Sequence, residues 1–143
     1  GERKGKAIEA FCRISQDPIR IRCKVNEPDY VIVQDATIIG EVPVSTGLTG
    51  DGLILVNTDR PADELGLDTP AKVLTFTAED IARRILGRPI MNTALLGAFA
   101  AMTGELSLEA VISAVNLKFP GELGEKNARV VKESHARLME VKQ

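Results

Sequence analysis

Aromatic side chains are scarce in this 143-residue chain: they make up 3% of it, with no tryptophan and a single tyrosine. A net charge of −2 adds no strong field. With neither a stacking platform nor a basic surface overall, nucleic acid is not an expected partner. Cysteine is nearly absent too. Cys12 and Cys23 stand far apart with no CxxC anywhere, which excludes a zinc or iron–sulfur site held by this chain's cysteines, since each needs about four ligands. The one histidine, His135, would have to carry any Ser–His–Asp or multi-histidine arrangement. No pair of carboxylates stands out for acid–base work. No catalytic residue and no metal ligand is therefore assigned to the chain. The longest mostly apolar run, Pro89 to Met102, falls short of the roughly 20 residues a membrane helix needs, so no membrane role is expected. No basic–apolar–small signal pattern opens the chain, and a cytoplasmic address is the expectation.

What is present is ordinary for a globular protein: 44% apolar and 27% charged residues. The length fits one domain over residues 1–143. The start is unusual, because Gly1 is followed by the basic, glycine-bearing Glu2-Arg3-Lys4-Gly5-Lys6. This is loop chemistry with no element leading into it, so a longer native N-terminus is expected. Charge is also uneven. Residues 1–24 hold seven basic and three acidic side chains, leaving +4, whereas the remainder holds eleven against seventeen, leaving −6. One end of a mildly acidic body thus carries a positive field.

Ala7 to Ile14 alternates, with Ile8, Ala10, Cys12 and Ile14 on one face. Ser15-Gln16-Asp17-Pro18 is turn chemistry. Ile19 to Val25 then alternates strictly, setting Ile19, Ile21, Cys23 and Val25 opposite Arg20, Arg22 and Lys24. The pattern predicts an antiparallel hairpin with one apolar and one basic face, both cysteines lying on the apolar side as small buried hydrophobes.

Beyond Asn26-Glu27-Pro28-Asp29 the pattern changes. Tyr30-Val31-Ile32-Val33, Leu53-Ile54-Leu55-Val56 and Val73-Leu74 with Phe76 are apolar on both faces, which a parallel sheet covered on both sides requires. Helices are expected from Pro61 to Leu65, and after a Thr77 cap up to Gly87 and Pro89. Others run from Asn92 to Thr103, from a Ser107 cap onward, and from about Gly124 to Val141. Ala94, Gly97, Ala98 and Ala101 give the Asn92–Thr103 helix a small-residue face where another backbone can approach closely. The alternation predicts an α/β fold: a three-layer α/β/α sandwich with a mostly parallel, Rossmann-like sheet and the antiparallel N-terminal hairpin.

Among candidate sites, Arg3, Lys4 and Lys6 sit beside glycine in a loop, and the hairpin adds Arg20, Arg22 and Lys24. Guanidinium and ammonium groups suit a phosphate-bearing ligand; a solvated charged terminus has the same composition. His135 could shuttle protons, yet its place in the apolar stripe of Ala128, Val131 and Leu138 favours a packed or rim histidine. Asn57-Thr58 ends a buried strand, where open parallel sheets bind ligands, although both are ordinary in a strand-to-helix turn. Gly47-Leu48-Thr49-Gly50-Asp51-Gly52 lacks both phosphate-loop patterns and reads as a turn.

Several stretches carry a resemblance: Glu2-Arg3-Lys4-Gly5, Pro18-Ile19-Arg20, Glu27 to Asp35, Leu53 to Thr58, Asn92 to Ala98, and Glu125-Lys126-Asn127. In this order and spacing they resemble the gamma subunits of 2-oxoacid:ferredoxin oxidoreductases, the pyruvate enzymes (pyruvate synthases) foremost. The family pattern opens with a further strand and a glycine-rich GxGGQG-like loop, neither of which occurs in this sequence. The resemblance implies a complex that decarboxylates a 2-oxoacid on thiamine diphosphate, passes electrons through iron–sulfur clusters to ferredoxin and releases acyl-coenzyme A. Thiamine and cluster ligands would belong to partner alpha, beta and delta subunits, so no cofactor is bound by this chain alone. Fused relatives imply that Arg3 and Lys4, with Lys6 less closely matched, contact coenzyme A phosphates. The family's aromatic or aliphatic residue at position 135 implies packing for His135. Two other functions fit the same residues: an assembly domain whose basic face meets an acidic partner, and a free-standing nucleotide-binding module.

Overall fold

The computed structural model describes residues 5–142. Three parallel strands form its centre: β1 (Tyr30–Val33), β2 (Leu53–Asn57) and β3 (Lys72–Phe76), in the order β1-β2-β3. Tyr30 lies beside Leu53, and Leu53 beside Lys72. Four α-helices follow: α1 (Ala78–Leu86), α2 (Asn92–Thr103), α3 (Leu108–Lys118) and α4 (Glu122–Lys142). The expected α/β fold with a parallel sheet is therefore present.

The apolar runs explain the layering. β2 is central, and Ile54, Leu55 and Val56 are all fully buried. Because consecutive strand side chains point to opposite faces, Leu55 joins Phe76, Ile81, Leu95, Phe99, Val130 and Leu138 under the helices. Ile54 and Val56 face the other way, into a cluster with Val33, Leu48, Leu65 and Ala71. That second face is covered by the strand connections, which carry short 3-10 turns at Ala36–Ile38 and Ala62–Leu65. Pro61 precedes the latter turn and Gly66, at φ 68°, ends it. The helix expected after Pro61 is thus a single tight turn.

The helical layer follows the residue pattern closely. Ser107 Oγ accepts the Ala110 N–H at 3.1 Å, capping α3 as expected. The small-residue face of α2 lies on α4, and a Cβ added at Gly97 would come within 2.5 Å of the Val131 carbonyl oxygen. Only hydrogen at that position lets the two backbones approach so closely. A buried pair locks the contact: Thr93 donates its hydroxyl to Asn127 Oδ1 at 2.9 Å, and Asn127 Nδ2 donates to the Leu123 carbonyl.

The N-terminal segment departs from expectation. The chain does reverse near Ser15, whose Oγ accepts the Asp17 N–H at 3.0 Å. No strand forms between residues 7 and 25, however. Side chains, not a ladder, hold the two limbs: Arg13 donates to the carbonyls of Cys23 and Lys24, and Lys24 pairs with Glu9. The alternating apolar face meets no core, with Ile8 69% and Ile21 62% exposed. Strand register is set by burying one face, and an alternating segment without a covering layer lacks that constraint. For the same reason Cys12 and Cys23 are exposed free thiols, not buried hydrophobes.

Candidate functional site

The carboxyl ends of the strands are closed by one side chain. Asn57, the last residue of β2, donates from Nδ2 to the Gln34 carbonyl just beyond β1 at 3.0 Å and lies 2.8 Å from the Met91 sulfur. Its Oδ1 accepts the N–H of Ala78, the first residue of α1, at 2.9 Å. Thr77, the expected hydroxyl cap, makes no capping bond. Thr58 Oγ1 accepts the Arg60 N–H at 3.2 Å. Both residues of the Asn57-Thr58 pair are engaged within the protein, so this end of the sheet is a structural tie.

Beside it, Asp35 Oδ1 accepts from both the hydroxyl and the N–H of Thr37, at 2.7 and 2.9 Å. These two bonds hold its carboxyl below the usual value of 3.8. At the opposite end of β1, Tyr30 donates its hydroxyl to Glu105 at 2.7 Å and meets Phe99 edge to face, with ring centroids 5.4 Å apart. That hydrogen bond, then burial, raises the Tyr30 phenol above 10.0.

The second candidate region is the groove between the N-terminal arm and the body. Phe11, Ile21, Tyr30, Ile32, Leu96 and Phe99 line it, with Lys6, Arg13 and Lys24 also contributing. Of the three residues singled out for coenzyme phosphates, Lys6 is exposed at the mouth of the described chain, next to Gly5 at φ 86°. Arg3 and Lys4 lie outside the described residues. Arg20 and Arg22 are exposed on the second limb. Arg13 was not singled out from the sequence, although its guanidinium joins the two limbs. An arginine in an alternating segment carries no sign that it will reach back across a turn. His135 is half-buried on α4, in keeping with a rim position.

Among the described residues, no three His, Cys, Asp or Glu side chains converge on a point where a metal could sit. Cys12 and Cys23 are fewer than the roughly four thiolates an iron–sulfur cluster takes. None of its described helices is long and apolar enough to cross a membrane.

Residues 1–136 match the model of the pyruvate ferredoxin/flavodoxin oxidoreductase family. The chain belongs to that family. It is similar to the pyruvate synthase subunit PorC of Methanosarcina barkeri, with 49% identity over 114 residues, covering 80% of this chain and 63% of that protein. It is 43% identical over 138 residues to the pyruvate/ketoisovalerate oxidoreductases common subunit gamma of Pyrococcus furiosus, covering 94% of this chain and 74% of the relative. Among solved structures it resembles the pyruvate oxidoreductase subunit PORC of Thermotoga maritima, with a TM-score of 0.71 and 34% identity over 78% of this chain and 64% of that one. This chain thus spans less than two thirds of the Methanosarcina and Thermotoga relatives.

Proposed function

We propose that this family member serves as the gamma subunit of a 2-oxoacid:ferredoxin oxidoreductase acting on pyruvate, which converts the oxoacid and coenzyme A to acyl-coenzyme A while reducing ferredoxin. The observation that carries the proposal is the match through residues 1–136, together with relatives named as pyruvate synthase PorC and as a common gamma subunit. The chain works as a non-catalytic subunit. Thiamine diphosphate and the iron–sulfur clusters sit on alpha, beta and delta partners. Thiamine diphosphate supplies the carbanion chemistry of decarboxylation when bound there.

This chain's own part is to help bind coenzyme A. Arg3, Lys4 and Lys6 contact its phosphates, because ammonium and guanidinium groups give charge-assisted bonds to phosphate oxygens. An apolar groove with Lys6 among its lining residues suits a ligand with anionic phosphates and a less polar tail. In the assembled enzyme, reversing the charge at Arg3, Lys4 and Lys6 should raise the KM for coenzyme A several-fold with kcat for pyruvate oxidation retained. Unchanged kinetics would remove the coenzyme role.

A second reading is favoured by the exposure of Ile8, Phe11, Ile14 and Ile21 on the same arm. Exposed apolar side chains beside a basic surface suit docking on an acidic partner subunit. The same charge reversals would then weaken subunit association at low salt and leave coenzyme affinity intact.

A further inference from the structure

Among the described residues, no hydrogen bond or ion pair joins the arm, residues 5–25, to the body. Arg13 donates to the Cys23 and Lys24 carbonyls and Lys24 pairs with Glu9, all within the arm. Ile8, Phe11, Ile14 and Ile21 are exposed along it, and five basic side chains against two acidic leave it at +3. The opposite charge stands on the same chain. Residues 27–71, which carry β1, β2 and the strand connections, hold nine acidic side chains and one basic, Arg60, leaving −8. All nine acidic side chains are exposed, and none enters an ion pair among the described residues. On the reading of the arm as a docking element, we propose that its partner is a second copy of this chain: each arm binds the acidic connection face of the other copy, so that two copies exchange arms.

The connection face has the matching chemistry. Ile38, Ile39 and Leu67 lie half-buried over the cluster of Val33, Ile54 and Val56, and exposed Glu41, Asp63, Glu64 and Asp68 neighbour them in the chain. Asp63 and Glu64 stand on the tight turn Ala62–Leu65 that covers this side of the sheet. Exposed ion pairs alone contribute at most about 1 kcal/mol each. Apolar contact by the arm's isoleucines therefore supplies affinity, while the opposed charges steer the approach and reject wrong partners.

Within one copy this complementarity goes unused. Lys6, Arg13 and Lys24 line the groove together with Glu27, Asp29 and Asp35, yet no ion pair crosses it among the described residues. Residues 25–29, which link the arm to β1, form no helix or strand, so the arm can be redirected without breaking an element. An arm-to-face contact closes when it is reciprocated about a twofold axis, giving two identical contacts per dimer, and exchange of a like element is a low-cost route to that state.

Sedimentation velocity of the full chain over a range of concentrations and salt tests this. Expected is a mass twice that of one chain at low salt, with the dissociation constant rising several-fold as salt screens the charges. One variant carries Arg20→Glu and Arg22→Glu on the arm; a second carries Asp63→Lys, Glu64→Lys and Asp68→Lys on the face. Each alone should stay a single chain, whereas an equimolar mixture should dimerise, because every arm then meets a face of opposite charge. Carbodiimide cross-linking of mixed light and isotope-labelled wild-type chains gives a readout without variants: Lys6 or Lys24 should join Asp63, Glu64 or Asp68 across copies. A single-chain mass at every concentration, dimers indifferent to both reversals, or links confined to one copy would overturn the proposal. An arm reversal that loosens the assembled enzyme while the isolated wild-type chain stays single would leave arm docking standing and remove the second copy as its partner.

Discussion

Asn57 at the end of β2 accepts the backbone N–H of Ala78 at the start of α1, 2.9 Å away. The same side chain donates to the carbonyl of Gln34, so one amide joins the sheet's carboxyl edge to the first helix. The first N–H groups of a helix have no partner within it, and here the partner comes from a strand twenty-one residues earlier.

That relationship gives the first prediction. Ala78 is fully buried, so Asn57→Ala leaves its N–H without an acceptor and should cost about 1–3 kcal/mol. Asn57→Asp keeps an acceptor for Ala78 but loses the donor to Gln34, and should fall between wild type and Asn57→Ala. Urea denaturation of the three proteins measures the order, and equal midpoints for all three would show that the tie carries no stability.

Gly97 supplies a second prediction. Exchanging a mid-helix glycine for alanine ordinarily stabilises by about 1 kcal/mol. At Gly97 the new methyl would lie 2.5 Å from a backbone oxygen of α4, and backbone cannot rotate away as a side chain can. Separating two packed helices costs roughly 1–3 kcal/mol, so the net change should be a lower melting temperature. Calorimetry decides the sign. A rise in Tm would mean that α2 and α4 move apart freely.

A third prediction concerns alkaline pH. The Tyr30 phenol is raised above 10.0, first by its hydrogen bond to Glu105 and then by burial. The folded state therefore holds this proton more tightly than the unfolded chain does. Its contribution is complete below the unfolded value and is lost as pH rises through the raised folded value. Tyr30→Phe should leave stability below pH 10.0 lower by the hydrogen bond and flatten the alkaline decline. Denaturation midpoints across the alkaline range, with ultraviolet titration of the single tyrosine, provide the check.

How much was legible in the residues differs by region. In Leu53–Asn57 the apolar side chains run without alternation and Ile54, Leu55 and Val56 are fully buried, which leaves few other possibilities; Tyr30–Val33 and Lys72–Phe76 pair on either side of it, with Ile32 and Lys72 exposed. Asn92–Thr103 ends at Gly104 in the left-handed conformation, φ 69°, as the glycine signals. The arm was misread. Its alternation is real, yet period two states only that opposite faces differ, not that a partner strand or a covering layer is present. The expected capping hydroxyl of Thr77 lost to an amide remote in sequence, because a cap is satisfied by whichever acceptor the tertiary contact delivers. The candidate phosphate contacts Arg3 and Lys4 fall outside the described residues, and Lys6 alone can be located, exposed beside the groove.

By itself the order of residues determined the α/β class, the parallel strands, the helix stops at Gly87 and Gly104 and the close approach at Gly97, because each follows from burial pattern or local backbone geometry over a few neighbouring positions. Only the tertiary structure decided the role of Asn57, the reach of Arg13 and the exposure of Cys12 and Cys23. Those depend on which distant groups arrive within hydrogen-bond range, and on whether an apolar face finds anything to cover it.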